Sequence, residues 1–333
     1  NTLRNHPAIF ETFLAFLSDL IKLENIDEIY HLSHLLNFTI YLIGLILLYK
    51  IIEDRFNNIN ISILCVFLIF FSPRFFAESF YNSRDIFFFS LFVFFIFSTQ
   101  KLINYENYKN ILLVSLSSAL LINAKILGII PFLIFLTMYS IFISEKKKFK
   151  LKDLKTIFAL VIFTFLFIVI LWPYLWVNPI KNFLTAYKDI INAHNSLSVI
   201  TFFNGEYMSS ENTPWLYRII WFYITTPTII CILFSFGFLN ILRKFSLRVL
   251  NLEEKNPLLL KNKEDFCDYF LLLTFLGVIF LSIKFNTSQF NGWRHLYFLY
   301  FVIIYFVAHL MKSLLHLKNQ YLKQIIFFSI FIN

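Results

Sequence analysis

Nine stretches of this chain, near residues 31–51, 59–73, 85–100, 110–124, 126–143, 156–173, 217–242, 267–284 and 295–311, are apolar for the length of a membrane helix, and a tenth begins at 324. A bilayer crossing needs roughly 20 mostly apolar residues, and somewhat fewer where polar groups cap the ends. Each run must be helical, because hydrocarbon offers backbone N–H and C=O groups no other partner. A soluble domain is excluded by the same residues: 59% of the chain is hydrophobic and only 15% charged, against about 45–50% and about 25% in globular proteins. The expected fold is an all-α polytopic membrane protein, one transmembrane domain over 1–333 with 174–216 as an extracytoplasmic loop.

Orientation follows from the basic residues, which favour cytoplasmic loops. EKKKFKLKDLK carries six lysines, and the segment from Arg243 to Lys263 carries six more Lys and Arg. Both loops are read as cytoplasmic, and the two spans between them agree with that. Residues 1–30, 74–84, 174–216 and 285–294 then lie outside. Trp172, Trp176, Trp215, Trp221 and Trp293 all fall near outer ends, where indole prefers to sit. The helical pattern HPAIFETFLAFLSDLIKL, with Glu11 and Asp19 among apolar residues, suits a helix on the outer surface better than a span.

The polar residues that interrupt hydrocarbon collect on that outer side. AESFYNSRDIFFF places Glu78, Arg84 and Asp85 between two apolar runs, LINAKILGII isolates Lys125, and QFNGWRHLYF carries Arg294 and His295. Arg4, His6, His194 and Glu206 are on the same side. Structural roles are open for each. Asn82 can cap the helix starting near Asp85, with Asp85 in its first turn, and Arg74 and Glu78 are four apart, as an ordinary helical ion pair requires. Lys125 can snorkel, although a buried cation costs a few kcal/mol unless an anion answers it. Cys65, Cys231 and Cys267 are scattered, which suggests neither disulfides nor a thiolate site. The histidines share no short ligand spacing, so no cofactor is called for and a divalent metal stays open. The net charge of +9 lies mainly in the cytoplasmic loops, and nothing supports nucleic-acid binding.

Taken in order, HPAIFETFLAFL, SPRFFAESFYNSRDI, NAKILGIIPFL, LWPYLWVNP, TPWLYRIIWFYITTP and NGWRHLYFLY resemble the bacterial GT-C glycosyltransferases related to protein O-mannosyltransferases and to the lipid A aminoarabinose transferase. The likeness runs from His6 to Phe301. It implies a multi-pass enzyme of the bacterial cytoplasmic membrane that moves a hexose-type sugar, with inversion, from a polyprenyl-phosphate carrier to an extracytoplasmic acceptor. The acceptor, whether protein, lipid A or another glycan, is left open. The resemblance gives Asp85 the family's second acidic position, with the principal catalytic acid expected ahead of Asn1. Arg294, His295, Lys125 and Arg84 become candidate contacts to the donor phosphate, since cations stabilise the charge that develops as it leaves. Arg294 is preferred for its bidentate grip. Glu78 is expected to position Asp85 together with Arg84, and His6 to shape the donor site. A lipid-linked-sugar transporter or a non-catalytic polyprenyl-lipid-binding subunit is the alternative, and for a transporter charges at mid-membrane depth would be expected.

Overall fold

A computed structural model describes residues 8–146, 151–196, 199–250, 258–285 and 291–315. The described chain is a bundle of α-helices with one small hairpin. Its helices are α1 (Ile9–Ile21), α2 (Ile26–Phe56), α3 (Ile59–Phe70), α4 (Pro73–Tyr81), α5 (Asp85–Asn104), α6 (Tyr108–Ala124) and α7 (Ile129–Lys146). The second half adds α8 (Leu151–Leu171), α9 (Pro179–Ser196), the strands β1 (Ile200–Phe203) and β2 (Glu206–Ser209), α10 (Tyr217–Thr225), α11 (Thr228–Val249), α12 (Lys263–Lys284) and α13 (Leu299–Leu315). Six helices, α2, α5, α7, α8, α11 and α12, are long and apolar enough to cross a membrane. The pair α3 and α4, bent by 66°, makes a seventh if counted as one span, and α6 and α13 are shorter apolar helices. This is a multi-pass membrane protein.

Two of the expected spans are broken, both at proline. The run 217–242 divides into α10 and α11 at Thr226–Pro227, because proline has no N–H to donate and pushes the residue before it out of the α region. The run 59–73 turns through its 66° at the start of α4, where Pro73 is the first residue. The segment 174–216, expected as an extracytoplasmic loop, is itself structured, holding α9 and the hairpin. In that hairpin Asn204 and Gly205 have φ of 54° and 89°, the left-handed pair of a two-residue turn, with Phe203 opposite Glu206. The span expected from 324 lies outside the described residues.

Helix α5 is the centre of the bundle. Phe88, Phe89, Phe92 and Phe95 are all buried, and their rings meet Phe298, Phe301, Phe75, Phe135 and Phe270 edge-on. Neighbouring helices approach over small residues, as membrane helices do in the absence of a hydrophobic drive. A Cβ at Gly44 in α2 would lie 3.0 Å from Ser90 Oγ in α5, and one at Gly237 in α11 would lie hard against the Phe306 carbonyl in α13. Helix α6 meets α8 through two buried polar residues: Ser115 Oγ donates to the Leu160 carbonyl at 3.4 Å and Asn123 Nδ2 to the Ile168 carbonyl at 3.2 Å.

Every contact that follows is set by which helix ends meet. The start of α5, the end of α6, α4 and the 3-10 turn Arg294–Leu296 ahead of α13 gather at one end of the bundle. The ends of α2 and α11 and the start of α12 gather at the other.

Candidate functional site

At the first of these ends, Asp85 opens α5. The Asn82 side chain accepts from the Asp85 amide at 2.9 Å, which satisfies one of the free N–H groups of the helix start. The same Asn82 amide donates to Asp85 Oδ2 at 3.0 Å and to Glu78 Oε2 at 2.5 Å. One short polar residue therefore sets the direction of two carboxylates.

The Asp85 carboxylate is buried and answered by cations. Lys125, placed at the end of α6 where the chain turns into the 3-10 turn Ile126–Gly128, makes an ion pair with Asp85 Oδ1. Its ammonium also lies 5.2 Å from the centre of the Phe88 ring. Arg294 Nε is 3.9 Å from Asp85 Oδ2, and His295 is near enough to act on Asp85 electrostatically. The isolated lysine of the sequence is thus one half of a buried pair whose other half lies forty residues earlier.

Glu78 is held separately. Arg74 Nε pairs with Glu78 Oε1 at 3.1 Å along α4, and Tyr297 donates its phenol to the same oxygen at 2.9 Å. Arg74 also reaches the Asn291 carbonyl at 2.9 Å, and its guanidinium lies 5.4 Å from the centre of the Tyr297 ring. Glu78 therefore ties α4 to the chain ahead of α13, and its link to Asp85 runs through Asn82.

The order of exposure matters for chemistry. The carboxylate side chains of Asp85 and Glu78 are 6% and 11% exposed, whereas those of Lys125, Arg74 and Arg294 are 21%, 28% and 30% exposed. An anion arriving at this end meets three partly open cations backed by two buried carboxylates. A guanidinium and an ammonium so placed suit phosphate oxygens.

Of the residues singled out from sequence, the structure gathers Asp85, Lys125, Arg294, His295 and Glu78. Arg84 is exposed, and the bond to Asp85 expected of it is made by Asn82, since Arg84 sits at the helix boundary with its side chain toward solvent. His6 lies outside the described residues, as does the side chain of His194. Glu206 is exposed at the hairpin turn. Arg74, Asn82 and Tyr297 join the cluster as well: from sequence Arg74 and Asn82 look like ordinary helix partners, and nothing singles out Tyr297 among 17 tyrosines. Among the described residues no three His, Cys, Asp or Glu side chains converge as a metal site would require.

A second charge cluster lies at the opposite end. Asp268 in α12 is fully buried and receives a bidentate grip from Arg55 of α2, with Nη2 at 3.0 and 2.8 Å and Nε at 3.2 Å. Tyr305 of α13 donates to it at 2.6 Å. Asp265, one turn earlier and also buried, pairs with Lys244 at 2.8 Å and with Arg248, both from α11. Glu145 at the end of α7 accepts from the amides of Leu259 and Leu260 at 2.9 and 2.7 Å, fixing the approach to α12. The two aspartates face inward and are matched by cations, and with Tyr305 the cluster ties α2, α11, α12 and α13 together.

No family model, curated protein or solved structure matches the chain.

Proposed function

We propose that the chain is a membrane glycosyltransferase that moves a hexose-type sugar from a polyprenyl-phosphate carrier to an acceptor on the extracytoplasmic face, with Asp85, Lys125 and Arg294 at its active site. The observation that carries this reading is the layered cluster, with buried Asp85 behind the partly open Lys125 and Arg294 at a membrane-helix end. The ordered motifs that resemble the GT-C enzymes favour the same reading.

The chemistry asks little of the protein beyond placement. An acceptor hydroxyl oxygen attacks the anomeric carbon, the bond from that carbon to the phosphate oxygen breaks, and its electron pair stays on the phosphate. A single displacement of this kind inverts the anomeric centre. The hydroxyl proton passes to a carboxylate, as general base catalysis requires. Lys125 and Arg294 take up the charge that grows on the leaving phosphate, where partial burial strengthens the interaction. Once phosphate draws these cations, Asp85 keeps its bond from Asn82 and has a lone pair free for a sugar or acceptor hydroxyl. Arg74, Glu78 and Tyr297 hold the frame. The apolar flanks of the spanning helices, such as Phe158, Phe165 and Ile170 on α8, are exposed and suit both bilayer and isoprenoid tail.

The transporter alternative needs a polar path between the two charge clusters. Between them α5 buries Phe88, Phe89, Phe92, Val93, Phe95 and Ile96, with Ser90 the one buried polar residue before Ser98, which speaks against a continuous one. The test uses the full-length protein in membrane vesicles with radiolabelled polyprenyl phosphate hexose. Label leaving the carrier for an acceptor supports transfer. Label that crosses the membrane still on its carrier would establish transport, and label that is bound and neither moves nor leaves would establish a lipid-binding subunit.

A further inference from the structure

The turn Asn291–Gly292 immediately precedes Trp293, Arg294 and His295, and both its residues are left-handed, with φ of 56° and 76°. Such a turn has no regular structure to hold it. Its backbone is held by side chains from two directions. On one side Arg74 donates to the Asn291 carbonyl at 2.9 Å, and a Cβ at Gly292 would lie 3.2 Å from Arg74 Nη1. On the other, the Gly292 amide donates to the Tyr217 hydroxyl at 3.1 Å in a buried contact.

Tyr217 begins α10 and is completely buried. Its hydroxyl also shares a hydrogen bond with Thr201 Oγ1 at 3.2 Å, and its ring lies 4.9 Å from that of Phe203. Thr201 and Phe203 both belong to β1. One phenol thus joins the outer hairpin to the backbone two residues ahead of Arg294. The hydroxyl accepts from Gly292 with a lone pair and has its proton left for Thr201, so both bonds can form together. Trp293 is fixed in the same way, its indole N–H donating to Thr225 Oγ1 of α10 at 2.8 Å.

We propose that Tyr217 is a positioning residue for donor binding, holding the Arg294–His295 turn in register with Asp85 and coupling that turn to the β1–β2 hairpin. The proposal rests on the functional reading above and adds to it a residue that touches neither phosphate nor Asp85. Through Tyr217 the position of the hairpin bears on the turn that carries Arg294. A buried amide deprived of its acceptor must move to find another, and in this turn the move carries Arg294 with it.

The experiment measures binding of polyprenyl phosphate to the full chain in nanodiscs, together with donor KM and kcat for label release. Tyr217→Phe removes the hydroxyl and keeps the ring. The expected result is roughly tenfold weaker binding and a donor KM raised about as much, the size of one lost buried hydrogen bond, with kcat within about threefold. Tyr223→Phe, an exposed tyrosine of the same helix, is the control and leaves both unchanged. Because Tyr217 acts through Arg294, Tyr217→Phe in an Arg294→Ala background is expected to add little. Faster deuterium exchange at the Gly292 amide in Tyr217→Phe would confirm that the turn has been released.

Binding and KM unchanged in Tyr217→Phe, or an effect fully additive with Arg294→Ala, would overturn this proposal alone. Failure of the unsubstituted protein to bind polyprenyl phosphate would overturn the functional reading and the proposal with it.

Discussion

Replacing Arg55 by alanine tests the energetic weight of the second charge cluster. The Asp268 side chain is 0% exposed, and Arg55, itself 11% exposed, supplies its two-pronged grip. Without Arg55, Asp268 keeps the Tyr305 hydroxyl at 2.6 Å, with Lys244 at 3.9 Å and His309 at 3.8 Å. Neither of these distant groups replaces a bidentate guanidinium. Removing one partner of a buried ion pair costs about 3–5 kcal/mol, because the remaining charge stays out of water. At about 2 °C per kcal/mol for a domain of this order, the apparent Tm of the protein in nanodiscs should fall by at least about 6 °C. Arg55→Lys should cost less, since it keeps the charge and loses the fork. Arg55→Met combined with Asp268→Leu should recover most of the loss, since an apolar pair of similar volume has no charge to desolvate. An Arg55→Ala protein melting within about 1 °C of the parent, or a double variant worse than either single one, would refute the reasoning.

Three further outcomes follow from particular contacts. Lys125→Met leaves buried Asp85 with Arg294, 3.9 Å away, as its remaining ion-pair partner and removes one donor to the phosphate, so label release should fall at least about a hundredfold, the scale of losing one transition-state donor; the measurement is the initial rate per folded molecule. Gly237→Ala places a methyl group hard against the Phe306 carbonyl, and backbone cannot move aside as a side chain can. A loss at or above the upper end of the about 1–3 kcal/mol typical of overpacking is expected, read as loss of monodisperse protein on size exclusion. Asn123→Ala removes one interhelical bond to Ile168 and should cost only about 0.6 kcal/mol, the average for such bonds in a membrane bundle, a shift of a degree or two in Tm.

The architecture was legible because the bilayer leaves so few options for long apolar runs. Lone charges in such runs were legible too: Lys125 among LINAKILGII and Asp85 after SR stand out because burial without a partner is costly. Their pairing was not, since nothing local relates the end of α6 to the start of α5. The break at Pro227 and the Asn204–Gly205 turn both carried sequence signals, and they were hidden by a hydropathy that reads straight through TPWLYRIIWFYITTP and by a loop reading of 174–216. The second cluster was masked differently. Asp265 and Asp268 follow KNKE, and Lys244 and Arg248 begin and end KFSLR, so they look like solvated loop charges. The signal available was spacing: Asp265 and Asp268 one turn apart, and Lys244 and Arg248 likewise, put each pair on one helix face. Tyr217 and Tyr297 had no signal at all, because a hydroxyl that fixes a distant backbone looks like any other tyrosine.

The most direct test compares two buried aspartates at opposite ends of the same bundle. Asp85→Asn and Asp268→Asn each remove one buried carboxylate charge, and the rate of label release from polyprenyl phosphate hexose is measured per folded molecule in vesicles. The expected result is that Asp85→Asn abolishes release while the fold is retained, whereas Asp268→Asn lowers the Tm and leaves the rate of the folded fraction within about threefold. Full release from Asp85→Asn would remove this cluster from the chemistry and contradict the account.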